Sequence, residues 1–307
     1  METVLITGGA GLVGRHLSKK LLEKGYNVAV FSRRMIKGKA EEKDRKGTTY
    51  FYWDVDRDEI GEDIITKADY IIHLAGANIG EKRWTNKRKK IIIDSRVKPA
   101  HLIFTKIKNS NHNLKAFISA SAIGYYGAIT SEKIYSETDP PYDDFLGTVC
   151  QKWEQASFQF KKLDVRTVVL RTGLVLAGDG GALERMKIPV KLGVGSAIGK
   201  GNQYMPWIHI DDLCNIYIKA IEDAKMTGIY NAVAPEFNTN KEFMRALALS
   251  FHKPYWFPNV PKYILKLLFG EMSTILLLGS RVSSEKIINA GFIFQYPHLK
   301  TALHDLF

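Results

Sequence analysis

The feature that most constrains this chain is a glycine-rich segment, Thr7–Gly14, close to the N-terminus. It follows the apolar run Thr3–Ile6, typical of a buried strand, and it opens a helical pattern. Gly8 permits a tight turn, Gly11 lets backbone N–H groups approach a pyrophosphate, and Gly14 allows the helix to pack closely on the strand. This order predicts a dinucleotide-binding site, the alternative being a tight turn with incidental glycines. The predicted contacts are Thr7, Gly8, Gly11, Leu12, Val13 and Gly14.

Short apolar runs and helical patterns alternate through the first 172 residues. The runs are apolar on both faces, which is typical of strands in a parallel sheet that helices cover on both sides. Six such strands alternating with helices predict the α/β class, with a Rossmann-type doubly wound parallel sheet. The runs are Thr3–Ile6, Asn27–Phe31, Thr48–Tyr52, Tyr70–Leu74, Ala116–Ser119 and Arg166–Leu170.

The length of 307 residues is consistent with about two domains. From Gly173 onward the regular alternation stops, and loop-like glycine-rich segments occur at Gly178–Gly181 and Gly193–Gly201. We therefore predict a dinucleotide-binding domain over 1–172, its sheet completed by a segment within about 203–235. Residues 173–307 are predicted to form a smaller lobe that mainly binds substrate.

Charge and cysteine content restrict the partners and the compartment. Lys and Arg number 44 against 32 Asp and Glu, and this formal net charge of +12 favours anionic partners. No zinc finger, helix-turn-helix signature or RNA-binding sheet motif is present, so nucleic acid is not expected among them. Two isolated cysteines, Cys150 and Cys214, make neither a disulfide framework nor a zinc site, and we predict no metal. Without a signal peptide or a long apolar stretch, the chain is predicted to be cytoplasmic, with no membrane partner.

The end of the second predicted strand indicates which dinucleotide binds. The strand ends in Phe31-Ser32-Arg33-Arg34, without the acidic residue that would bind a ribose 2′-hydroxyl. Hydroxyl and guanidinium groups suit a 2′-phosphate through charge-assisted hydrogen bonds. The sequence therefore predicts NADP over NAD, with contacts from Ser32, Arg33 and Arg34. The alternative is a solvated pair of surface arginines.

Motifs along nearly the whole chain carry a family resemblance. They are His73-Leu74-Ala75-Gly76-Ala77-Asn78, Lys82-Arg83-Trp84, Asp94-Ser95-Arg96-Val97, Ser119-Ala120-Ser121, Ser121–Gly127, Trp153-Glu154, Arg171-Thr172-Gly173, Met205–Asp212 and Gly291-Phe292-x-Phe294. With the glycine loop, they resemble the extended short-chain dehydrogenase/reductases, which include nucleotide-sugar epimerases and dehydratases. Within that group the chain is most similar to an atypical, uncharacterised epimerase family with a small C-terminal domain of unknown function.

This resemblance implies roles for single residues. Ser121 occupies the place of the catalytic Ser or Thr, and Asp54, after the third strand, is expected near the adenine. The cofactor contacts that the family motifs imply are Asp54, Leu74, Ala75, Gly76 and Arg171.

The sequence departs from the family where the chemistry is expected. Ordinary members carry Tyr-x-x-x-Lys on the helix after the fifth strand, and the lysine lowers the tyrosine pKa so that the phenol exchanges a proton with substrate. One register places Leu146 and Cys150 at these positions, and another places Thr148 and Lys152 there. Neither register has a tyrosine. Because a positioned acid–base group contributes about 10²–10⁴-fold in rate, another group must substitute for it.

Tyr125, Tyr126 and His209 are the candidate substitutes. Each has a structural alternative, since the tyrosines can pack on a pocket wall and His209 can hydrogen-bond a loop to the start of a helix. Asp211 is predicted to be the N-cap of that helix rather than a catalytic acid. The predicted catalytic residues are Ser121, Tyr125 and His209.

Six residues are predicted to line a substrate pocket. Trp84 lies in a basic cluster, Lys82–Lys90, which forms either an anion-attracting rim or a solvated helix face. Arg281 either closes the cleft on a substrate anion or forms a salt bridge. The pocket residues are Asn78, Trp84, Tyr126, Met186, Trp207 and Arg281.

Two functions follow from these observations. The favoured one is an NADP(H)-binding oxidoreductase or epimerase-like protein that acts on a small or nucleotide-linked carbonyl or hydroxyl compound. The alternative is a catalytically weak NADP(H)-binding sensor or assembly factor. A small-molecule substrate is the expected partner, and a homodimer is left open.

Overall fold

The computed structural model describes residues 1–33 and 41–307, so Arg34 lies outside the described residues. The strands are β1 (Thr3–Thr7), β2 (Asn27–Ser32), β3 (Glu41–Lys43), β4 (Thr49–Tyr52), β5 (Tyr70–His73), β6 (Ala116–Ala122), β7 (Ile134–Tyr135), β8 (Arg166–Thr172), β9 (Leu174–Leu176), β10 (Trp207–His209), β11 (Gly228–Ala232) and β12 (Arg281–Val282). The helices are α1 (Leu12–Glu23), α2 (Glu62–Lys67), α3 (Asn86–Lys108), α4 (Phe145–Phe158), α5 (Gly181–Lys191), α6 (Ile210–Glu222), α7 (Asn240–Ser250), α8 (Lys262–Phe269), α9 (Thr274–Leu277), α10 (Glu285–Asn289) and α11 (Leu299–Leu306). Short 3-10 turns occur at Ile123–Tyr126, Gln159–Leu163 and Gly270–Ser273.

Eight strands form the central sheet, in the order β11-β8-β6-β5-β1-β2-β4-β3. Neighbouring strands in it are parallel except β3, which runs antiparallel to β4. The chain order reverses at β1, which pairs with β2 on one side and β5 on the other. The predicted α/β class with a Rossmann-type doubly wound sheet is therefore confirmed. Ligands bind such sheets beyond the carboxyl ends of the strands at this reversal.

The central strands are apolar on both faces because a separate core packs against each face. On one face, Ile6 of β1 packs with Leu17 of α1 and Leu213 of α6. On the other, Leu5 packs with Ile103 of α3, and Phe117 of β6 stacks on a phenylalanine of the turn after α4. This burial fixes the register of β1, β5 and β6 and therefore the position of the residues that follow them.

The C-terminal part of the chain joins the rest at several places. Within the segment 203–235, β11 pairs with β8, whereas β10 pairs with β9 in a separate two-stranded sheet. Farther along the chain, β12 pairs with β7. Directly after β12, the Ser283 carbonyl accepts a hydrogen bond from Asn231 Nδ2 of β11 at 3.0 Å. The domain boundary at residue 173 stays a prediction.

Across 1–33 and 41–307, none of the helices combines the length and the apolar character needed to cross a bilayer.

Candidate cofactor and active site

The glycine loop packs its backbone tightly against the exit of β5. Gly8 has a φ of +71°, and a Cβ there would lie 2.8 Å from the carbonyl carbon and oxygen of Leu74. A Cβ on Gly14 would lie 2.4 Å from Gly9 Cα, so the first turn of α1 also leaves no room for a side chain. The Gly11 N–H donates to the Gly8 carbonyl at 2.9 Å and closes the turn. Leu12 and Val13 then begin α1, whose first N–H groups have no partner within the helix, an arrangement that suits an anion.

A column of hydrogen bonds holds the tip of β5 beside this loop. The Ala75 N–H donates to Thr7 Oγ1 at 3.2 Å, and Thr7 Oγ1 lies 2.8 Å from His73 Nδ1. His73 Nε2 lies 2.9 Å from the Arg96 carbonyl. Because a carbonyl only accepts, Nε2 carries the ring proton and Nδ1 accepts from the Thr7 hydroxyl. Burial lowers the pKa of His73 to about 4, so the imidazole is neutral at pH 7.

His73 does not figure among the residues that the sequence predicts for the site. Its position at the end of a buried strand, directly before the predicted cofactor contacts Leu74, Ala75 and Gly76, is a local signal that could have indicated its role.

The predicted adenine end is more exposed. Arg33 follows β2 directly and is exposed, while Ser32 is half-buried. Asp54 follows β4, where its Oδ1 accepts from the Asp56 N–H at 3.0 Å and its Oδ2 lies 3.6 Å from Arg57 Nε. The structure thus places Ser32, Arg33 and Asp54 at neighbouring strand ends.

The sheet order places the predicted ligand cleft beyond the carboxyl ends of the strands, and a buried ion pair lies at its β6–β8 end. Arg171 of β8 donates to both oxygens of Glu154 of α4, from Nε at 2.8 Å and from Nη2 at 2.9 Å. The Ser121 hydroxyl donates to Glu154 Oε1 at 2.7 Å. Arg171 is 1% exposed and Glu154 is 5% exposed. Although burial opposes it, hydrogen bonding and the charge of Glu154 raise the pKa of Arg171 above its ordinary value, so the pair stays ionised.

This geometry corrects the expectation that Arg171 contacts the cofactor. Its guanidinium is enclosed by Glu154 and by two tyrosines of the turn after β6. Sequence reasoning missed the pair because the partners are 17 residues apart on different elements.

The two tyrosines of that turn differ in exposure. Tyr126 is fully buried, donates to Asn231 Oδ1 at 2.7 Å and accepts from Arg171 Nη1 at 2.9 Å. Burial raises the pKa of its phenol to about 12. The predicted pocket-lining role of Tyr126 is therefore corrected to a structural one. Tyr125 is half-buried, and its ring centroid lies 3.3 Å from Arg171 Cζ. Burial raises the pKa of Tyr125 above its ordinary value, while the charge of Arg171 opposes that shift.

Helix α4 presents Leu146 and Cys150 to the same turn. A Cβ on Gly124 would lie 3.3 Å from Leu146 Cβ and 3.8 Å from Cys150 Sγ, whereas Lys152 is exposed. The register with leucine and cysteine in place of the Tyr-x-x-x-Lys pair is therefore the one that faces the site. Burial raises the pKa of the Cys150 thiol to about 12, so it is a packing residue and not a nucleophile at pH 7.

His209 is buried at the start of α6. It is the N-cap of this helix, with Nδ1 accepting from the Asp211 N–H at 3.2 Å. The predicted cap, Asp211, instead lies in the first turn and pairs with Lys20 at 3.0 Å. The prediction was wrong because the helix starts at Ile210, two residues earlier than an N-cap at Asp211 would place it. His209 takes its structural alternative, and its ring packs on Tyr296 at 3.9 Å.

His209, Asp211 and Asp305 bring ligand-type atoms within 4.8 Å of one another. His209 Nδ1 accepts a backbone N–H, so the neutral imidazole carries its proton on Nε2, which lies 3.3 Å from Asp305 Oδ2. Burial lowers the pKa of His209. His209 therefore caps the helix with Nδ1, and its Nε2–H faces the Asp305 carboxylate. A protonated Nε2 has no lone pair to offer a metal ion.

Two predicted pocket tryptophans are core residues. Trp207 is fully buried, and its indole N–H donates to Asn238 Oδ1 at 2.7 Å. Trp84 is 9% exposed, donates to the Ile79 carbonyl at 3.0 Å and packs edge-on against Phe145 at 4.8 Å. The pocket-lining role is corrected for both, because their side chains are enclosed by protein.

Of the remaining pocket candidates, Asn78 is exposed, and Met186 and Arg281 are half-buried. Arg281 lies 3.2 Å from Glu132 Oε2, which is the salt bridge named as its alternative. Asn78 Oδ1 accepts from the Gly80 N–H at 2.9 Å in the loop after β5. Met186 of α5 packs against the core that contains Trp207. Because Tyr126 and Trp207 are fully buried, the six predicted residues do not together line one pocket.

Fold and loop together define a dinucleotide-binding α/β protein of the Rossmann type. The chain belongs to the NAD dependent epimerase/dehydratase family, whose model matches residues 4–232. A second model, a domain of unknown function (DUF1731), matches residues 260–306. The predicted resemblance is confirmed.

Relatives and solved structures agree with this assignment. The epimerase family protein YfhF of Bacillus subtilis is 35% identical over 304 residues, covering 99% of this chain and 97% of the relative. The structure of the human epimerase family protein SDR39U1 (isoform 2) with NADPH is 31% identical, with a TM-score of 0.87, covering 99% and 98% of the two chains. A Thermotoga maritima UDP-glucose 4-epimerase is 20% identical with a TM-score of 0.76, covering 98% and 97% of the two chains, and shows the fold alone.

Proposed function

We propose that the protein binds NADP(H) and reduces a carbonyl group of a small or nucleotide-linked substrate, or oxidises the corresponding alcohol. The backbone cradle at Gly8 and Gly14 would fill with any side chain, which fits close approach of a pyrophosphate. Arg33 at the end of β2 supports a 2′-phosphate, and a relative 31% identical to this chain was crystallised with NADPH. Two buried free cysteines are consistent with the cytoplasm as its compartment.

The observation that carries the proposed reaction is the state of Tyr125. Its phenol is half-buried at the reaction end of the cleft, against the Arg171 guanidinium. Since burial raises its pKa, the phenol keeps its proton at pH 7 and is a proton donor. NADPH, when bound, supplies the hydride. Tyr125 then gives its proton to the substrate oxygen, so that hydride and proton together convert a carbonyl into a hydroxyl, and water restores the phenol. The protonated phenol is the form that the reductive direction needs, whereas oxidation of an alcohol needs the phenolate.

Ser121 supports this donor indirectly. Its hydroxyl hydrogen is directed to Glu154 Oε1, so it is not free to donate to a substrate. Glu154 in turn holds Arg171, and Arg171 holds the Tyr125 ring. We therefore propose Ser121 as a positioning residue and Tyr125 as the catalytic one.

The test is NADPH oxidation with a panel of small and nucleotide-linked carbonyl compounds. Tyr125→Phe is expected to lower kcat by about 10²–10⁴-fold, with NADPH affinity within about threefold of wild type. Tyr230→Phe, a buried tyrosine of the edge strand β11, is the matched control and is expected to keep full activity. Unchanged turnover in Tyr125→Phe would remove the proposed donor.

One observation favours a second function, an NADP(H)-binding sensor or assembly factor with weak catalysis. Helix α4 presents Leu146 and Cys150 where ordinary family members have tyrosine and lysine. The Ser121 hydroxyl donates its hydrogen to Glu154 and therefore not to a substrate. This function predicts NADPH binding by calorimetry with no oxidation in the presence of any carbonyl in the panel.

A further inference from the structure

A half-buried arginine lies beside the predicted cofactor contacts without a carboxylate partner in the part of the chain that the structure describes. It is Arg96 of α3, whose Nη1 donates to the Ile92 carbonyl at 2.8 Å and to the Ala77 carbonyl at 3.2 Å. Its Nε is buried and has no hydrogen-bond partner. The guanidinium lies over the Trp153 ring, 4.8 Å from its centroid. Burial lowers the pKa of Arg96 to about 10, so the group is still charged at pH 7.

Two contacts place this cation in the cleft. A Cβ on Gly76, at the tip of β5, would lie 3.0 Å from Arg96 Cζ and 3.2 Å from both terminal nitrogens. Glycine at this position therefore lets the guanidinium reach the backbone that the family motif assigns to the cofactor. On the other side stands α4, whose Trp153 ring lies under the guanidinium and follows Cys150 by three residues on the same helix. Arg96 thus lies between the tip of β5 and the helix on which the lysine is missing.

A buried charge that lacks a counter-ion destabilises a folded protein, and so does a buried N–H without an acceptor. Arg171, the fully buried arginine of this region, has a carboxylate that holds it bidentately. The acceptors of Arg96 are two carbonyls and the Ser95 hydroxyl, all on Nη1. Among the described residues Nη2 has no acceptor, so its N–H groups can donate to oxygen atoms of a ligand.

We propose that Arg96 supplies from α3 the positive charge that ordinary family members supply from α4 with a lysine, and that it donates hydrogen bonds to oxygen atoms of the bound dinucleotide. This inference rests on the proposed NADP(H) binding. Guanidinium forks suit hydroxyl and phosphate oxygens, the acceptors that a dinucleotide presents. The charge would come from α3, where Arg96 lies between Gly76 at the tip of β5 and the Trp153 ring of α4.

The test separates a ligand-binding role from a packing role. Arg96→Met keeps the length of the side chain and removes the charge, and is expected to weaken NADPH binding by about 10–100-fold in a fluorescence titration. The thermal midpoint of the protein without cofactor is expected to stay or to rise, because an uncompensated charge is removed. Arg96→Lys is expected to bind NADPH within about tenfold of wild type.

A double variant that moves the positive charge from α3 to α4 tests the proposal most directly. Arg96→Met combined with Cys150→Lys returns a cation to α4 and is expected to recover at least about tenfold of the lost affinity. Arg245→Met, at an exposed arginine of α7, controls for the loss of one positive charge. Gly76→Ala, which displaces the guanidinium without changing it, is expected to weaken binding as Arg96→Met does.

The outcomes are distinct. If wild type binds NADPH and Arg96→Met binds it equally well, Arg96 is a packing residue and this inference fails alone. If Arg96→Met lowers both the cofactor-free thermal midpoint and the affinity, and Arg96→Lys does the same, the role is structural and the inference also fails. If wild type itself does not bind NADPH, the proposed function fails, and this inference with it.

Discussion

Backbone atoms form one end of the predicted ligand cleft, and side chains form the other. At the dinucleotide end, the glycine loop presents backbone, and its shape depends on the absence of side chains at Gly8 and Gly14. At the reaction end, Ser121, Glu154 and Arg171 are joined by side-chain hydrogen bonds in a buried network. The first end is encoded within eight consecutive residues, whereas the second links residues 33 and 17 positions apart. A site formed by backbone can therefore be predicted from a short stretch of sequence. A site formed by side chains from distant elements can be recognised only in the folded structure.

The largest expected effect tests the reaction end. Glu154→Leu leaves the Arg171 cation buried without its counter-ion and is expected to lower the free energy of unfolding by about 3–5 kcal/mol. The measurement is urea unfolding at pH 7. Glu222→Leu breaks the exposed pair with Lys24 and is expected to cost no more than about 1 kcal/mol. Equal losses in the two variants would mean that the network adds nothing beyond a surface pair.

The next effect concerns the hydrogen-bond column under the dinucleotide end, through pH. The folded pKa of His73 is about 4, below its ordinary value of 6.5. Between these pH values the unfolded chain binds a proton that the folded chain does not, so stability is lost as pH falls below 6.5. The loss attributable to His73 reaches about 3 kcal/mol by pH 4.

Urea unfolding at several pH values between 7 and 4.5 measures this slope. His73→Gln is expected to reduce the slope by close to one proton, while His101→Gln, an exposed histidine on α3, leaves it unchanged. A slope that is the same in wild type and His73→Gln would show that this imidazole is not held neutral.

A smaller effect tests whether the dinucleotide end depends on missing side chains. Gly14→Ala forces a Cβ to within 2.4 Å of Gly9 Cα and is expected to cost about 1–3 kcal/mol of stability. NADPH affinity should fall by more than tenfold in calorimetry, because the loop must shift. Gly61→Ala, where a Cβ meets its nearest neighbour at 3.5 Å, is the control and should bind NADPH as wild type does.

The smallest expected effect lies at the adenine end, where the side chain is exposed. Arg33→Asp is expected to weaken NADPH binding about tenfold, through loss of one charge-assisted contact and gain of repulsion, and to leave NADH binding unweakened. Parallel calorimetric titrations with the two cofactors give the ratio. A ratio that does not move would remove Arg33 from the 2′-phosphate site.

Sequence reasoning succeeded where the signal is local and periodic. The glycine loop and the alternating strands and helices required only short stretches of sequence, and the sheet followed from them. It failed where burial decides the role of an ordinary residue. Tyr126 and Trp207 are residue types common in ligand pockets, but both lie in hydrophobic cores. His209 is the N-cap of the helix for which Asp211 was the predicted N-cap.

Arg96 is a residue whose predicted role was too small, because its contacts could not be predicted from local sequence. The sequence includes it in a family motif, yet nothing local indicates that its guanidinium reaches Gly76. Its contacts cross between α3, the loop after β5 and α4. Only the packed structure shows that a cation lies between Gly76 and the Trp153 ring of α4, the helix on which the family lysine is absent.

The hydrogen bond from Asn231 to the Ser283 carbonyl has a directional consequence. A carbonyl accepts only, so it fixes the orientation of the Asn231 amide, turns Oδ1 towards Tyr126 and makes the phenol donate. The Tyr126 oxygen then has its lone pairs free for Arg171. The polarity of this chain of hydrogen bonds is thus set from the C-terminal part of the polypeptide. A chimera that exchanges residues 260–306 between relatives must therefore keep the Ser283 carbonyl in place. Through this series of hydrogen bonds the exchanged segment acts on Arg171 by a backbone group and not by a side chain.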